Sequence, residues 1–111
     1  MDVKSINRER CTVLTLTLEK KWFDMIGSGE KKQEYRTSEK VLRQIERWYG
    51  HSLIRGKMMV VKLCLGYQKK RREMTFTTGR PFWSYSSAFP KWGEPDSPHY
   101  VIPLLDRVML V

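Results

Sequence analysis

Two stretches of the chain carry the apolar pattern of β-strands. From Cys11 to Leu18 apolar and polar residues alternate, and Leu14, Leu16 and Leu18 fall on one face. A period of two with β-branched neighbours predicts a half-buried strand. The run from Met58 to Leu65 is almost continuously apolar, which is typical of a central strand covered on both faces.

Two other stretches repeat at the helical period. In the first, Trp22, Met25 and Ile26 have the i, i+3, i+4 spacing of one helix face, and Gly27 and Gly29 follow them. We therefore expect a short helix that ends in a glycine turn.

The second helical stretch is "TSEKVLRQIERWYG", residues 37–50. Thr37 or Ser38 can cap its start, and Gly50 is expected to end it. The apolar residues of this stretch share one face, which we expect to be buried: Val41, Leu42, Ile45, Trp48 and Tyr49.

The remaining segments complete a mixed fold. "KKQEYR" and "MTFTT" predict short strands, and "YVIPLLDRVMLV" predicts one or two strands interrupted at Pro103. Residues 79–99 lack periodicity but are rich in aromatics, so we expect a long, ordered loop. The order β-α-β-α-β-β-loop-β predicts one α+β domain over residues 1–111, a small mixed β-barrel with two packed helices.

Charge restricts the partners. The 111 residues include 21 Lys and Arg against 12 Asp and Glu, a net charge of +9. Such an excess favours RNA or nucleotide ligands, although a merely solvated basic surface is the alternative. No apolar run is long enough to cross a membrane, and Met1 to Arg10 does not resemble a secretory signal. We therefore expect a cytoplasmic protein, and no oligomeric state follows.

The cysteines and histidines predict no metal site and no cofactor. Cys11 and Cys64 both lie among strand-like residues, which indicates ordinary buried thiols. His51 and His99 are far apart and neither adjoins a cysteine, so a zinc site is not expected.

The densest charge pattern follows the first helix, as Gly29-x-Lys31-x-x-Glu34-x-Arg36. Lys31 and Arg36 can donate to a phosphate or a carbonyl oxygen, and Arg36 can grip a planar group with two N–H bonds. Glu34 would stay ionised between these cations and would accept from an amine or activate water. An internal ion pair between Glu34 and Arg36 is the structural alternative. Strand alternation would point Lys31 away from both, so Lys31 must lie in an exposed turn before the strand.

This turn resembles the signature of the ASCH family, which belongs to the PUA-like superfamily of small β-barrels. The signature is a G-x-K-x-x-E-x-R turn after a short helix with an aromatic pair, here Trp22 and Phe23. "KWGEPDSPHYVIPL" also resembles the Trp-Gly segment and last strand of the short phage and bacterial members. The two matches cover the first third and the last fifth of the chain.

The resemblance implies a pocket for RNA or a modified nucleoside, built on Trp22, Lys31, Glu34 and Arg36. An enzyme of the same fold, an acylated-cytidine amidohydrolase or a ribonuclease, is the alternative, with Lys31 and Glu34 as its catalytic residues. The amidohydrolase branch carries a hydroxyl nucleophile at the position that Glu34 occupies here, which weakens that assignment. Thr37 and Ser38 lie just beyond this position, and the match would misplace their hydroxyls for that role.

Two further groups are candidate nucleic-acid contacts. The basic run Lys69, Lys70, Arg71 and Arg72 can follow a phosphate backbone or form a solvated hairpin tip. Trp83 and Tyr85 are candidates for stacking on bases, although such aromatics also anchor long loops to a core. A protein-binding adaptor that uses the basic surface on an acidic partner is a third functional hypothesis.

Overall fold

The computed structural model describes residues 3–66 and 71–111, which form two α-helices and a seven-stranded mixed sheet. The strands are β1 Lys4–Ile6, β2 Cys11–Leu18, β3 Gln33–Arg36, β4 Met58–Leu65, β5 Glu73–Thr78, β6 Phe82–Ser84 and β7 His99–Leu110. The helices are α1 Lys20–Gly27 and α2 Glu39–Arg55, and short 3-10 turns cover Arg8–Arg10 and Pro90–Trp92. The predicted α+β class with two helices is confirmed.

The main path of the sheet runs β1-β7-β5-β4-β2, and β3 and β6 pair with β7 beside this path. The β1–β7 and β2–β4 pairs are parallel, and the other pairs are antiparallel. Over the described ranges no pairing joins β1 to β2, so the sheet is not closed. The expected small barrel is therefore not confirmed.

Both helices cover one face of the sheet, because each presents an apolar stripe toward it. Phe23 and Ile26 of α1 and Ile45 and Trp48 of α2 are buried in one core with strand residues. The strand residues of this core are Leu14, Leu16, Leu18, Val61, Leu63, Met74, Phe76, Ile102 and Leu104. On β4, which is central as predicted, Val61 and Leu63 are buried on one face and Val60 and Cys64 on the other, whereas Met58 is exposed and Lys62 is partly exposed.

Helix α2 is longer than predicted. It continues through Gly50 to Arg55, and Gly56, at φ +62°, is the residue that ends it. Glycine in a helix interior costs about 1 kcal/mol relative to alanine. The cap at Gly56 offsets this, because the Gly56 and Lys57 N–H groups donate to the Leu53 and Ser52 carbonyls at 3.4 and 3.0 Å. The expected end at Gly50 is wrong.

Strand β7 is continuous, so the interruption expected at Pro103 is also wrong. Its first half pairs with β3 on one side and β6 on the other, and its second half pairs with β5 and β1. Pro103 lies where the partners change, next to a bulge opposite Phe76 and Thr78. Proline is tolerated at this change of partners because the regular ladder is already broken there.

Residues 79–99, expected as a loop, contain β6 and a 3-10 turn.

Candidate functional site

The charged turn lies between α1 and β3. Gly29 has φ +85°, a conformation that glycine adopts at no steric cost, and the Lys31 N–H donates to the Met25 carbonyl at 3.0 Å. The chain therefore turns back under α1, and Lys31 precedes β3. The prediction that Lys31 lies in the turn, outside the alternation of the strand, is confirmed.

The turn buries the Lys31 side chain, contrary to the exposed position expected from the sequence. The residue is 3% exposed. Its Nζ donates to the Trp92 carbonyl at 2.7 Å and lies 3.2 Å from Glu34 Oε1. The same ammonium lies over the rings of Trp22 and Tyr35, at 4.5 and 5.0 Å from their centroids. Sequence reasoning missed the burial because one of the covering groups, the Trp92 carbonyl, lies 61 positions away along the chain.

The Lys31 ammonium is surrounded by these protein groups. An ammonium has three N–H donors; two are taken by Trp92 and Glu34, and the aromatic faces attract the remaining positive charge. Burial lowers the pKa of Lys31, and the adjacent Glu34 carboxylate opposes that shift. Lys31 is thus a buried residue whose ammonium contacts other protein groups, and it is not exposed to solvent.

Glu34 joins the two cations of the turn. Its Oε1 accepts from the Tyr35 N–H at 3.2 Å in addition to Lys31, and its Oε2 accepts from Arg36 Nη2 at 2.9 Å. The same Nη2 donates to the Thr17 carbonyl at 2.9 Å. The Glu34–Arg36 ion pair considered from the sequence is therefore present. It fixes the Arg36 guanidinium against β2, while 21% of the Arg36 side chain stays exposed.

This network forms part of the wall of an open cavity of about 310 Å³. The volume is at the lower end of small-molecule sites, which span roughly 300–1,000 Å³. The residues around it come from the end of β2, α1, the charged turn, β3, the α2 start and the loop before β7: Thr17, Leu18, Glu19, Trp22, Lys31, Glu34, Tyr35, Arg36, Thr37, Ser38, Gly93 and Pro95. The structure thus brings together Trp22, Lys31, Glu34 and Arg36.

Trp22 is held by close contact with Gly93. A Cβ atom at Gly93 would lie 2.7 Å from the Trp22 ring, and Gly93 has φ +80°. Only glycine fits both the backbone conformation and this contact without displacing a neighbour. The Trp-Gly segment that supported the family resemblance therefore has a local role, because it closes the cavity beside Trp22.

Sequence reasoning missed a second buried polar cluster behind the site. Glu94 accepts from the N–H groups of Ala88 and Phe89 at 2.8 and 2.9 Å, and its other oxygen lies 2.8 Å from His99 Nε2. His99 Nδ1 lies 2.5 Å from the Ser97 carbonyl. Both ring nitrogens of His99 therefore face oxygen atoms of neighbouring residues.

The Glu94–His99 pair fixes the loop before β7. Burial works to raise the pKa of Glu94, but hydrogen bonds from His99 and the loop backbone hold it below its usual value. The His99 ring also meets Tyr35 edge to face, with centroids 5.7 Å apart. Burial, with the nearby carboxylates, raises the pKa of Tyr35, which stays a neutral phenol. No sequence pattern indicated this pair, since its contacts depend on the folding of the loop.

The other predicted contact residues lie outside the cavity wall. Trp83 and Tyr85 are on and just after β6 and do not line it. Lys69 and Lys70 fall outside the described residues. Arg71 Nη1 donates to the Gly66 carbonyl at 3.0 Å, and the Arg72 guanidinium lies 5.4 Å from the Phe23 ring centroid.

A larger cleft, of about 680 Å³, lies elsewhere on the sheet, beside Val13, Lys62 and Val108. Its Lys62–Glu73 pair is half-exposed at 3.6 Å, and it has no buried charge network. Within ranges 3–66 and 71–111, no group of three His, Cys, Asp or Glu side chains is arranged to hold a metal ion. None of the helices in those ranges combines the length and apolarity that crossing a membrane requires.

Comparisons of the chain with models of protein families, with curated proteins and with solved structures found no match. A functional proposal for this chain must therefore rest on the geometry of the cavity and on the motif resemblance.

Proposed function

We propose that this chain is a PUA-like domain of the ASCH type that binds RNA or a modified nucleoside in the cavity beside Arg36. The observation that carries the proposal is the buried Lys31–Glu34–Arg36 network, which leaves one guanidinium partly exposed in a small open cavity. Buried charges are costly unless paired, and such arrangements are concentrated at functional sites.

The contacts of the three residues assign different roles to them. Lys31 and Glu34 use their polar atoms on protein partners, so they orient Arg36 and set the charge of the cavity floor. Arg36 presents the remaining part of its planar fork to a phosphate or to a base edge. Trp22 supplies an aromatic wall, and the net charge of +9 attracts the polyanion.

A thermal-shift and calorimetric panel of nucleosides, modified nucleosides and short RNAs tests this proposal. We expect stabilisation by at least one class and a tenfold or greater loss of affinity in Arg36→Lys, because lysine keeps the charge but lacks the fork. Arg55→Lys, at the exposed end of α2, is the matched control and should bind as the wild type does. Failure of every ligand in the panel, or equal effects of the two variants, would contradict the proposal.

A hydrolase of the same fold is the second candidate, and one observation favours it. Thr37 and Ser38 line the cavity, and Ser38, although it precedes the first residue of α2, makes no side-chain capping bond. A hydroxyl nucleophile is thus available near Glu34, although none stands at the position of Glu34 itself. Over the described part of the chain, no hydrogen bond joins Thr37 or Ser38 to Lys31 or Glu34. The binding function is therefore placed first.

A further inference from the structure

A row of side chains crosses three strands from the cavity to an open sheet edge. Arg36 of β3 pairs with Tyr100 of β7, and Tyr100 pairs with Trp83 of β6. Paired residues of antiparallel strands project from the same face, and neighbouring strands are about 4.8 Å apart. The Trp83 backbone therefore lies about 10 Å from that of Arg36, on the same face.

Aromatic rings form the outer part of this row. Trp83 meets Tyr100 edge to face at 5.1 Å and Tyr85 at 6.3 Å. Trp83 is 39% exposed and Tyr85 is 73% exposed. In contrast, Phe89 and Trp92 stack on each other at 4.2 Å with an interplanar angle of 11°. Within the described ranges, neither Trp83 nor Tyr85 has such a parallel partner.

The adjoining helix α2 carries both acidic and basic side chains beside the row. Its Glu46 carboxylate accepts a hydrogen bond from Tyr100, and burial together with this carboxylate raises the pKa of the Tyr100 phenol. Arg43 lies three residues earlier, on the same side of the helix, and its side chain is largely exposed. Its ion pair with Glu39 is exposed as well, so a phosphate can replace the carboxylate at little cost. Exposed Lys40 and Arg47 add to this basic surface.

We infer that the ligand is a single-stranded RNA segment of about four nucleotides or more, with one nucleotide in the Arg36 cavity and later bases of the same strand stacked on Trp83 and Tyr85. The inference rests on the proposed function and extends it from a nucleoside to a strand. Stacked bases rise about 3.4 Å per nucleotide, so the distance of about 10 Å from Arg36 to Trp83 corresponds to about three steps, which join the first nucleotide of such a strand to the fourth. Aromatic stacking tolerates any base, and the basic side of α2 faces the phosphates.

The test measures how binding affinity depends on the length of the ligand and on the presence of the Trp83 ring. Affinities are measured for the four nucleoside monophosphates and for fluorescein-labelled random-sequence RNA trimers and hexamers. Trp83→Ala is expected to weaken hexamer binding about tenfold and to leave monophosphate affinity within twofold of the wild type. Trp83→Phe should retain most of the hexamer affinity, because it keeps a flat aromatic face.

Phe82→Ala is the matched control, because Phe82 is the neighbouring residue on β6, is similarly exposed and projects from the opposite face. It should bind the hexamer as the wild type does, with thermal melts confirming that all variants are folded. Equal losses in Phe82→Ala and Trp83→Ala would overturn the inference. Binding of monophosphates without any gain for the hexamer would overturn it as well, yet leave the proposed function standing. Absence of all nucleotide and RNA binding, or capture of an acidic peptide instead, would overturn both.

Discussion

The ammonium of Lys31 donates to the main-chain carbonyl of Trp92, 61 residues further along the chain, at 2.7 Å. This bond ties the turn after α1 to the loop before β7, and the Glu34 carboxylate 3.2 Å away compensates the buried charge. Lys31 is therefore a structural member of the candidate site.

Replacing Lys31 should be strongly destabilising. Loss of one partner from a buried ion pair typically costs about 3–5 kcal/mol, because the remaining charge is left in a poorly solvated place. We expect Lys31→Ala to lower the free energy of unfolding by about 3 kcal/mol in urea denaturation, since Arg36 still compensates Glu34. Lys32→Ala removes the adjacent exposed lysine and should change stability by less than about 0.5 kcal/mol. Similar values for the two variants would contradict a supporting role for Lys31.

Alanine at Gly93 should disturb the cavity through Trp22. The added Cβ would meet the indole at 2.7 Å, and the backbone has φ +80°, so both the ring and the loop must shift. We expect a lower melting temperature, a changed near-ultraviolet circular dichroism spectrum and weaker nucleoside binding. Gly50→Ala is the control: its Cβ meets nothing within 4 Å, and it should raise stability by about 0.5–1 kcal/mol. Unchanged spectra and binding in Gly93→Ala would show that Trp22 does not shape the site.

The Glu94–His99 pair should make the free energy of unfolding depend on pH in the acidic range. The pKa of Glu94 is lower in the folded protein than its ordinary value of 4.5, so the unfolded chain binds more protons below that pH. The contribution of the Glu94 carboxylate to the free energy of unfolding is complete above pH 4.5, and it disappears as the pH falls through the pKa that Glu94 has in the folded protein. Glu94→Gln should therefore be less stable than the wild type at pH 7, with a difference that shrinks between pH 5 and pH 3.

Chemical denaturation at pH 7, 5, 4 and 3 measures this difference. Its slope cannot exceed about 1.4 kcal/mol per pH unit for one proton. Asp96 is an exposed carboxylate of the same loop, and Asp96→Asn is the control for loss of a negative charge. If the gap between wild type and Glu94→Gln stays constant over this range, the carboxylate is not held by the pair.

Glu34→Gln separates the binding function from the hydrolase. Glutamine keeps the shape but leaves the buried Lys31 ammonium without its counter-charge, so we expect a loss of about 3–5 kcal/mol in stability and a modest loss of affinity. A hydrolase would lose about 10²–10⁴ in rate, because glutamine cannot accept a proton from water. The assay follows acylated cytidine and, separately, a short RNA, with rates normalised to folded protein. Turnover by the wild type that collapses in the variant would place the hydrolase first, and no turnover by either agrees with a binding domain.

Local patterns predicted most of the secondary structure. The strands Cys11–Leu18 and Met58–Leu65 were predicted with their observed bounds, because their patterns are set within each segment. The Lys31, Glu34 and Arg36 cluster was predictable for the same reason, since all three lie within six residues. Gly50 and Pro103 misled because other interactions outweighed their local preferences: α2 continues to a glycine cap at Gly56, and β7 changes partners at the proline.

The features that the sequence did not indicate depend on distant contacts. Burial of Lys31 requires the Trp92 carbonyl, and Glu94 meets His99 only after the loop between them has folded. Neither contact produces a periodic pattern or a fixed spacing of residues from which it could be predicted. The alignment of Arg36, Tyr100 and Trp83 likewise follows from strand register, which pairing partners and bulges decide.

The partner changes along β7 also bear on how the chain folds as it is made. Strands β1, β3, β5 and β6 all pair with β7, which follows them in the sequence. Translation proceeds from the amino terminus, so β1, β3 and β6 have no β7 to pair with until residues 99–110 leave the ribosome. The earlier strands can form only the β2–β4–β5 part of the sheet. The nascent chain thus carries unpaired strands, which are prone to aggregate, and the ligand cavity is assembled only after β7 has been synthesised.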